Sequence, residues 1–330
     1  MSITEVLIVG GGGYVGSQLV PRLVSLGYKV TIYDTFWFGA KHFEPFLKSG
    51  LKIIKGDIRD IASLSNCLTG KDAVIHLACI SNDPSFDLNP NLGKSINLES
   101  FLPFLQVAKK KDLQRFIFAS TSSVYGVKEE ARVTEDLPLD PLTDYSKYKA
   151  ECESILLHEI DGEFTSVVLR PATVCGYSLR QRFDLSVNIL TAHAIINKKI
   201  LVFGGTQFRP NLHIEDMVDA YVMMLEVPDS LIHRNIFNVG GENLSMNQIA
   251  SIVKNQMEFN VIIEQSDTND LRSYRIDSTK IRDIIGFNPK RGVKEAVLDI
   301  KDAFENGLYD KPFNNSEYIN ISKMKELSLG

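Results

Sequence analysis

Glu5-Val6-Leu7-Ile8-Val9-Gly10-Gly11-Gly12-Gly13-Tyr14-Val15-Gly16 is the stretch that decides the fold. Val6 to Val9 is an apolar, β-branched run of strand length. Consecutive glycines follow at once, and then Leu19, Val20, Leu23, Val24 and Leu26 recur at helical spacing. Strand, glycine turn and helix make the first half of a βαβ unit. Glycines let the backbone turn tightly and let a diphosphate approach it. The helix that follows offers free N–H groups and the positive end of its dipole to that anion. Gly10, Gly13 and Gly16 are spaced G-x-x-G-x-x-G, with Tyr14 and Val15 at the helix entrance. Lys29-Val30-Thr31-Ile32-Tyr33 reads as a second strand and ends in Asp34. An acidic residue about 20 positions past the glycines is placed to bind a ribose 2′-hydroxyl and to repel a 2′-phosphate, which selects NAD over NADP.

The remaining composition bounds the function. The chain has 330 residues, 44% of them hydrophobic and 23% charged, as expected of a globular protein with room for a second lobe. A net charge of −5 gives no basic surface for nucleic acid. No apolar run reaches membrane-spanning length, and the first residues, Met1 to Glu5, lack a basic leader and run into the first strand, so no signal peptide or membrane segment is expected. Cys67, Cys79, Cys152 and Cys175 are far apart and match no metal-ligand spacing. They predict reduced, mostly buried thiols and a cytoplasmic protein without a metal.

The β-α alternation continues. Leu51-Lys52-Ile53-Ile54 is a short strand, followed by Gly56-Asp57-Ile58 and a helix around 63–68. Ala73 to Ala78 is a continuous apolar strand, the pattern of a strand covered on both faces. A helix carries Ile96, Asn97, Leu98, Phe101, Phe104, Leu105 and Val107, with Pro103 expected to kink or break it. Arg115 to Ala119 is the fifth strand. This order predicts a doubly wound parallel α/β sheet, whose ligands bind at the carboxyl ends of the strands. The hydroxyl-rich Ser120-Thr121-Ser122-Ser123-Val124-Tyr125-Gly126 stands at such an end. Further on, Tyr145 and Lys149 are four apart and share one helical face. An ammonium near a phenol favours phenolate, so Lys149 is expected to lower the Tyr145 pKa and let it act as a base.

With these residues in this order, the chain resembles the extended short-chain dehydrogenase/reductases of the sugar-nucleotide epimerase/dehydratase type. The matches are Gly10/Gly13/Gly16, Asp34, Gly56-Asp57, His76-Leu77-Ala78, Asn97, Thr121 ahead of Val124-Tyr125-Gly126, Tyr145/Lys149/Glu153 and Arg170-Pro171. The resemblance implies a Rossmann sheet with a smaller C-terminal mixed α/β lobe for substrate. It implies that Asp57 and Ile58 flank an adenine, that Leu77, Ala78, Asn97 and Pro171 line the cofactor, and that Thr121, Tyr145 and Lys149 are catalytic. Tyr148 and Cys79 depart from the family pattern, where a serine and an alanine are usual. His76 reads as a core histidine.

The division expected is a cofactor domain over 1–175 with returning segments from the C-terminal half, a substrate lobe over 176–310, and a loosely docked tail over 311–330. In the lobe, Arg180 and Arg182 sit in a loop where they can meet a nucleotide phosphate or sugar. Asn188, Arg209 and Arg272 resemble the family's substrate-binding positions, the arginines suiting a diphosphate. Pro210 stands where the family has an aspartate. The substrate implied is a nucleoside-diphosphate sugar. Family dehydratases carry Asp-Glu where this chain has Ser122 and Ser123, and decarboxylases carry Glu at the second position. A hydroxyl does not replace a carboxylate as general base without further activation. The string resembles the 4-epimerases, which leaves 4-epimerisation, with a 4-dehydrogenase or 4-ketoreductase as alternatives; a non-sugar alcohol dehydrogenase and a non-catalytic dinucleotide sensor fit less well. A homodimer is expected through the helix after the fourth strand and the Tyr145 helix, with Phe101, Phe104, Leu105, Ile155 and Leu156 on its face.

Overall fold

Val6 and Ile8 point to one side of their strand and Leu7 and Val9 to the other, and both sides are fully covered. This is seen in a computed structural model that describes residues 3–268 and 272–329. The central sheet has strands β1 (Glu5–Val9), β2 (Lys29–Asp34), β3 (Leu51–Lys55), β4 (Ala73–His76), β5 (Arg115–Ala119) and β6 (Thr165–Pro171). The chain then adds β7 (Thr173–Cys175), β8 (Lys199–Phe203), β9 (Phe208–His213), β10 (Asn235–Val239), β11 (Glu242–Ser245) and β12 (Ile262–Ser266). The seven-stranded sheet has the order β10-β6-β5-β4-β1-β2-β3, and every pairing in it is parallel. The order reverses between β1 and β4, the place where ligands of such sheets bind. The resemblance to a Rossmann sheet therefore holds, and its outermost strand, β10, comes from the C-terminal half.

One face of the sheet is covered by helices Gly16–Ser25 and Ile214–Glu226, which bury Leu19, Val20 and Leu23 with Met217, Val218 and Tyr221. Helices Ile61–Leu68, Phe101–Ala108 and Asp144–Glu159 cover the other. A smaller lobe has the mixed sheet β11-β9-β7, the pair β12-β8, and helices Ser186–Asn197, Met246–Asn255 and Val293–Glu305 around its own core. No helix among the described residues is long and apolar enough to cross a membrane.

Three expectations change. The break anticipated at Pro103 is a π turn over Ser95–Glu99, just before a helix whose first turn holds the proline. A proline there removes an N–H that lacks an intrahelical partner anyway. Phe101, Phe104, Leu105 and Leu156 offer no dimer surface, because all four are fully buried in this chain's own core, where Phe101 and Phe104 pack with His76, Phe116 and Phe118. The segment after Asp310 is not loosely docked either. It carries the helix Asn320–Glu326, with Asn320, Lys323 and Met324 buried. Met1, Ser2, Asp270 and Leu271, parts of the leader and late-arginine expectations, lie outside the described residues.

Candidate active site

A cavity of about 530 Å³ runs along the carboxyl ends of the strands, from Asp34 and Asp57 past the glycine loop to Tyr145. Gly10 N donates to Tyr33 O at 2.8 Å, so the loop leaves the sheet still paired to β2. Gly10 has φ +86°, and a Cβ on it would lie 2.3 Å from Ala78 N. A Cβ on Gly16 would lie 2.2 Å from Gly11 O, so both glycines are demanded by the chain's own packing. Gly13 differs. Its Cβ would meet only Gly10 O, at an ordinary 3.6 Å, although it lines the cavity. Space beside Gly13 is left for something that is not protein. The helix that starts at Gly16 has no side-chain cap. Its first amides are already taken within the chain, Ser17 N by Gly13 O and Gln18 N and Leu19 N by Val15 O, so the amides left to face an anion are those just ahead of them, at Tyr14, Val15 and Gly16. Asp34 accepts from Gly12 N at 2.9 Å and Phe36 N at 2.7 Å, and burial pushes its pKa up against those bonds.

Tyr145 and Lys149 are placed by the helix Asp144–Glu159, opened by a capping box between Thr143 and Ser146. Lys149 is buried, and its Nζ donates to Ala119 O at 2.6 Å, 4.9 Å above the Phe118 ring. The lysine is therefore tied to the end of β5. Thr121 lines the same cavity as Tyr145 and Lys149, and its hydroxyl accepts from Ser123 N at 3.1 Å. The expectation that Lys149 lowers the Tyr145 pKa is not met by the protein alone. Burial first, then Cys79 and Asp83, push the phenol well above its usual value; Arg182 and the Thr121 hydroxyl oppose this.

Behind the hydroxyls lies a buried ionic network. Arg170 Nη2 is 2.6 Å from Glu153 Oε2, Ser120 donates to Glu153, and Arg170 Nη1 donates to Tyr125 OH at 2.8 Å. Tyr125 donates in turn to Asn238 Oδ1 at 2.8 Å. Each polar group has a partner, so the loop carrying Thr121, Ser122 and Ser123 is rigid.

Gly10, Gly13, Tyr14, Val15, Gly16, Asp34, Asp57, Ile58, Leu77, Ala78, Thr121, Ser122, Ser123, Tyr145, Lys149, Pro171, Arg182 and Arg272 all line the one cavity. Asn97, Asn188 and Arg209 do not. Asn97 sits in the π turn and holds Ile80 through both its backbone groups, at 2.8 and 2.9 Å. Asn188 is fully buried and spends its amide on Gly176, Tyr14 and Arg182, so it shapes the loop from behind. Arg209 bonds the backbone of Phe208 and Arg272. Arg182 pairs with Asp184 at 2.8 Å and Arg272 with Asp83 at 2.8 Å. Among the described residues no cluster of His, Cys, Asp or Glu is arranged to hold a metal. Trp37, Phe38, Asn320, Ile321 and Met324 also line the cavity and carry no sequence signal that marks them.

The buried atoms fit a dinucleotide: Arg180 Nε and Arg182 Nη2 have no partner, and both arginines line the cavity. Comparison with known proteins agrees. The NAD dependent epimerase/dehydratase family matches residues 6–240. UDP-glucose 4-epimerase of Lactobacillus helveticus is 29% identical over 319 residues, 89% of this chain and 94% of that protein. UDP-glucuronic acid decarboxylase 4 of Arabidopsis thaliana is 27% identical over 315 residues, 91% of this chain and 68% of that protein. The solved structure of UDP-glucuronic acid 4-epimerase from Bacillus cereus, in complex with UDP-glucuronic acid and NAD, has a TM-score of 0.83 at 27% identity and covers 93% of this chain and 100% of that one. A sheet with its glycine loop at the order reversal, a cavity that runs from Asp34 past that loop to Tyr145 and this match over most of the chain lead to one conclusion: the chain belongs to the NAD-dependent epimerase/dehydratase family.

Proposed function

We propose that the chain is an NAD-dependent 4-epimerase of a nucleoside-diphosphate hexose. The observation that carries this is the convergence of Tyr145, Lys149 and Thr121 in one cavity beside two serines, where Asp83 and Asp184 are each ion-paired with an arginine. Bound NAD supplies a hydride acceptor and donor and a positive charge. Tyr145 takes the proton from the sugar C4 hydroxyl. Arg182 and Thr121 already favour its phenolate, and the cofactor's charge works in the same direction against the burial that raises its pKa. Thr121 hydrogen-bonds the same oxygen. Lys149, held by Ala119 O, orients the cofactor ribose. Arg182 and Arg272 hold the nucleotide sugar; Asn188 positions Arg182 through its backbone carbonyl.

Elimination and decarboxylation need an acid or base that Ser122 and Ser123 do not provide. Ser122 is committed to Tyr274 OH at 3.2 Å, and the nearby Asp83 and Asp184 are each paired with an arginine. A homodimer and a cytoplasmic location complete the reading, the former checked by light scattering at micromolar protein.

The test is a panel of uridine, thymidine and guanosine diphosphohexoses incubated with no added oxidant or reductant, with products resolved by NMR. C4-inverted sugar is expected. A stoichiometric 4-keto sugar with bound NADH would make the chain a dehydrogenase. Reduction of a 4-keto sugar alone would make it a ketoreductase. Tyr145→Phe should keep NAD binding and lose roughly three or more orders of magnitude in rate; full activity in that variant would refute the proton-transfer assignment.

A further inference from the structure

Arg180 is the one arginine of the cavity wall whose charge has no carboxylate partner among the described residues. Arg182 has Asp184, and Arg272 has Asp83. Arg180 is 4% exposed, its Nε has no partner, and its Nη2 donates to a neutral amide, Asn320 Oδ1, at 2.6 Å. Its guanidinium lies 3.5 Å from the centroid of Phe38. Burial, with Arg182 beside it, pulls its pKa down to about 9. A buried, unpaired guanidinium is costly to a folded chain. A planar cation so placed suits an anionic ligand.

Its position says which. The loop that carries Arg180 is fastened to the glycine loop and its helix. Tyr14 OH donates to Gly176 O at 2.7 Å, Ser178 Oγ donates to Tyr14 O at 2.7 Å, and Gln18 Nε2 donates to Tyr177 O at 3.0 Å. The charge of Arg180 is felt by Asp34 and by His42, which bonds Ser17 in the same helix. Arg180 thus lines the same cavity as the glycine loop and Asp34, on a loop fastened to Tyr14. Asn320 keeps it there. Its Nδ2 donates to Ser81 Oγ at 3.0 Å and its backbone N to Asp184 Oδ2 at 3.1 Å, so the C-terminal helix is locked to the segment that follows β4 and to the arginine loop together.

We propose that Arg180 is a cofactor-binding residue that reaches from the substrate lobe across the cavity to the diphosphate of the dinucleotide, and that Asn320 is the positioning residue that holds it there. This rests on NAD as the cofactor. The diphosphate sits between the amides of Tyr14 and Val15 ahead of the helix and a planar cation, and the buried charge of Arg180 becomes paired on binding.

The affinities of protein freed of nucleotide on charcoal are measured by calorimetry for NAD, ADP, adenosine and UDP. Arg180→Gln is expected to weaken NAD and ADP at least about tenfold, the scale of a lost charge-assisted hydrogen bond, and to leave adenosine and UDP within about threefold. Arg180→Lys recovers part of the loss, and Asn320→Ala falls between wild type and Arg180→Gln. Without ligand, neither Arg180→Gln nor Arg180→Met melts below the wild type, because each removes an unpaired buried charge. Unchanged ADP and NAD affinity in Arg180→Gln overturns the proposal. So does a loss on UDP instead, which gives the residue to the substrate, an equal loss on adenosine, or a large drop in melting temperature in both neutral variants, which makes the residue structural. A wild type that binds neither NAD nor ADP removes the cofactor reading itself, an outcome distinct from wild-type binding that Arg180→Gln leaves intact.

Discussion

Gly13→Ala separates what the fold needs from what the ligand needs. Gly10 and Gly16 are glycines because the chain's own backbone would collide with a Cβ, at 2.3 Å from Ala78 N and 2.2 Å from Gly11 O. Gly13 is under no such demand, since its Cβ would stand 3.6 Å from Gly10 O and, its two chain neighbours apart, meets no other described atom within 4 Å. The alanine variant should fold, and it should gain about 0.4–1 kcal/mol because the unfolded chain loses freedom. The methyl group occupies cavity space beside the amides of Tyr14 and Val15, which precede the helix. A diphosphate pushed back from them loses one charge-assisted hydrogen bond or more, about 1.5–3 kcal/mol each, which is roughly a tenfold to hundredfold loss of NAD affinity. The assay pairs an NAD titration with a thermal melt of the nucleotide-free protein. Gly16→Ala is the control: backbone against backbone at 2.2 Å has no flexible group to give way, so it should melt lower, with a cost of about 1–3 kcal/mol or more. If Gly13→Ala binds NAD like the wild type, or melts as low as Gly16→Ala, the space beside Gly13 does not serve the cofactor.

Glu153→Gln keeps the shape of the buried pair but leaves Arg170 as an unpaired buried charge; chemical denaturation should show a loss of about 3–5 kcal/mol, and a loss under 1 kcal/mol would count against the network as the support of the Thr121 loop. His42, half-buried against Ser17, has its pKa pushed down to about 4 by burial and by Arg180. The unfolded chain therefore takes up the proton first: the contribution of the neutral ring is complete above about pH 6.5 and is lost as pH falls toward 4. A shift of that size, discounted for the solvent that reaches the ring, is worth roughly 1–2 kcal/mol. The gap in melting temperature between pH 7 and pH 4.5 should narrow in His42→Asn; an unchanged gap would assign acid sensitivity to other groups, such as the buried His76, whose pKa is also held low.

The parts of the site that were legible in the sequence are those in which function requires a short local pattern. Strand, glycine loop and helix are contiguous, Asp34 ends the next strand, and Tyr145 and Lys149 are one helical turn apart, so their spacing alone brings them to one end of the sheet. The same spacing misled about charge. Four residues of separation makes Lys149 a neighbour of Tyr145, but it does not say where the ammonium goes, and the fold sends it to Ala119 O. Apolar periodicity failed in a similar way at Phe101 and Phe104. It shows that a helix has a face to bury and is silent on whether the chain itself or a second copy covers it; here His76, Phe116 and Phe118 do. Asn320 had no signal at all. It acts on Ser81 from 239 positions away, through one side chain on a short polar helix. Its role follows from what surrounds it. A neutral amide can fix the direction of a guanidinium without neutralising it, whereas an aspartate at 320 would pair with Arg180 and compete with an incoming diphosphate. The residue that best prepares a cation for an anionic ligand is one that binds it while leaving its charge unspent.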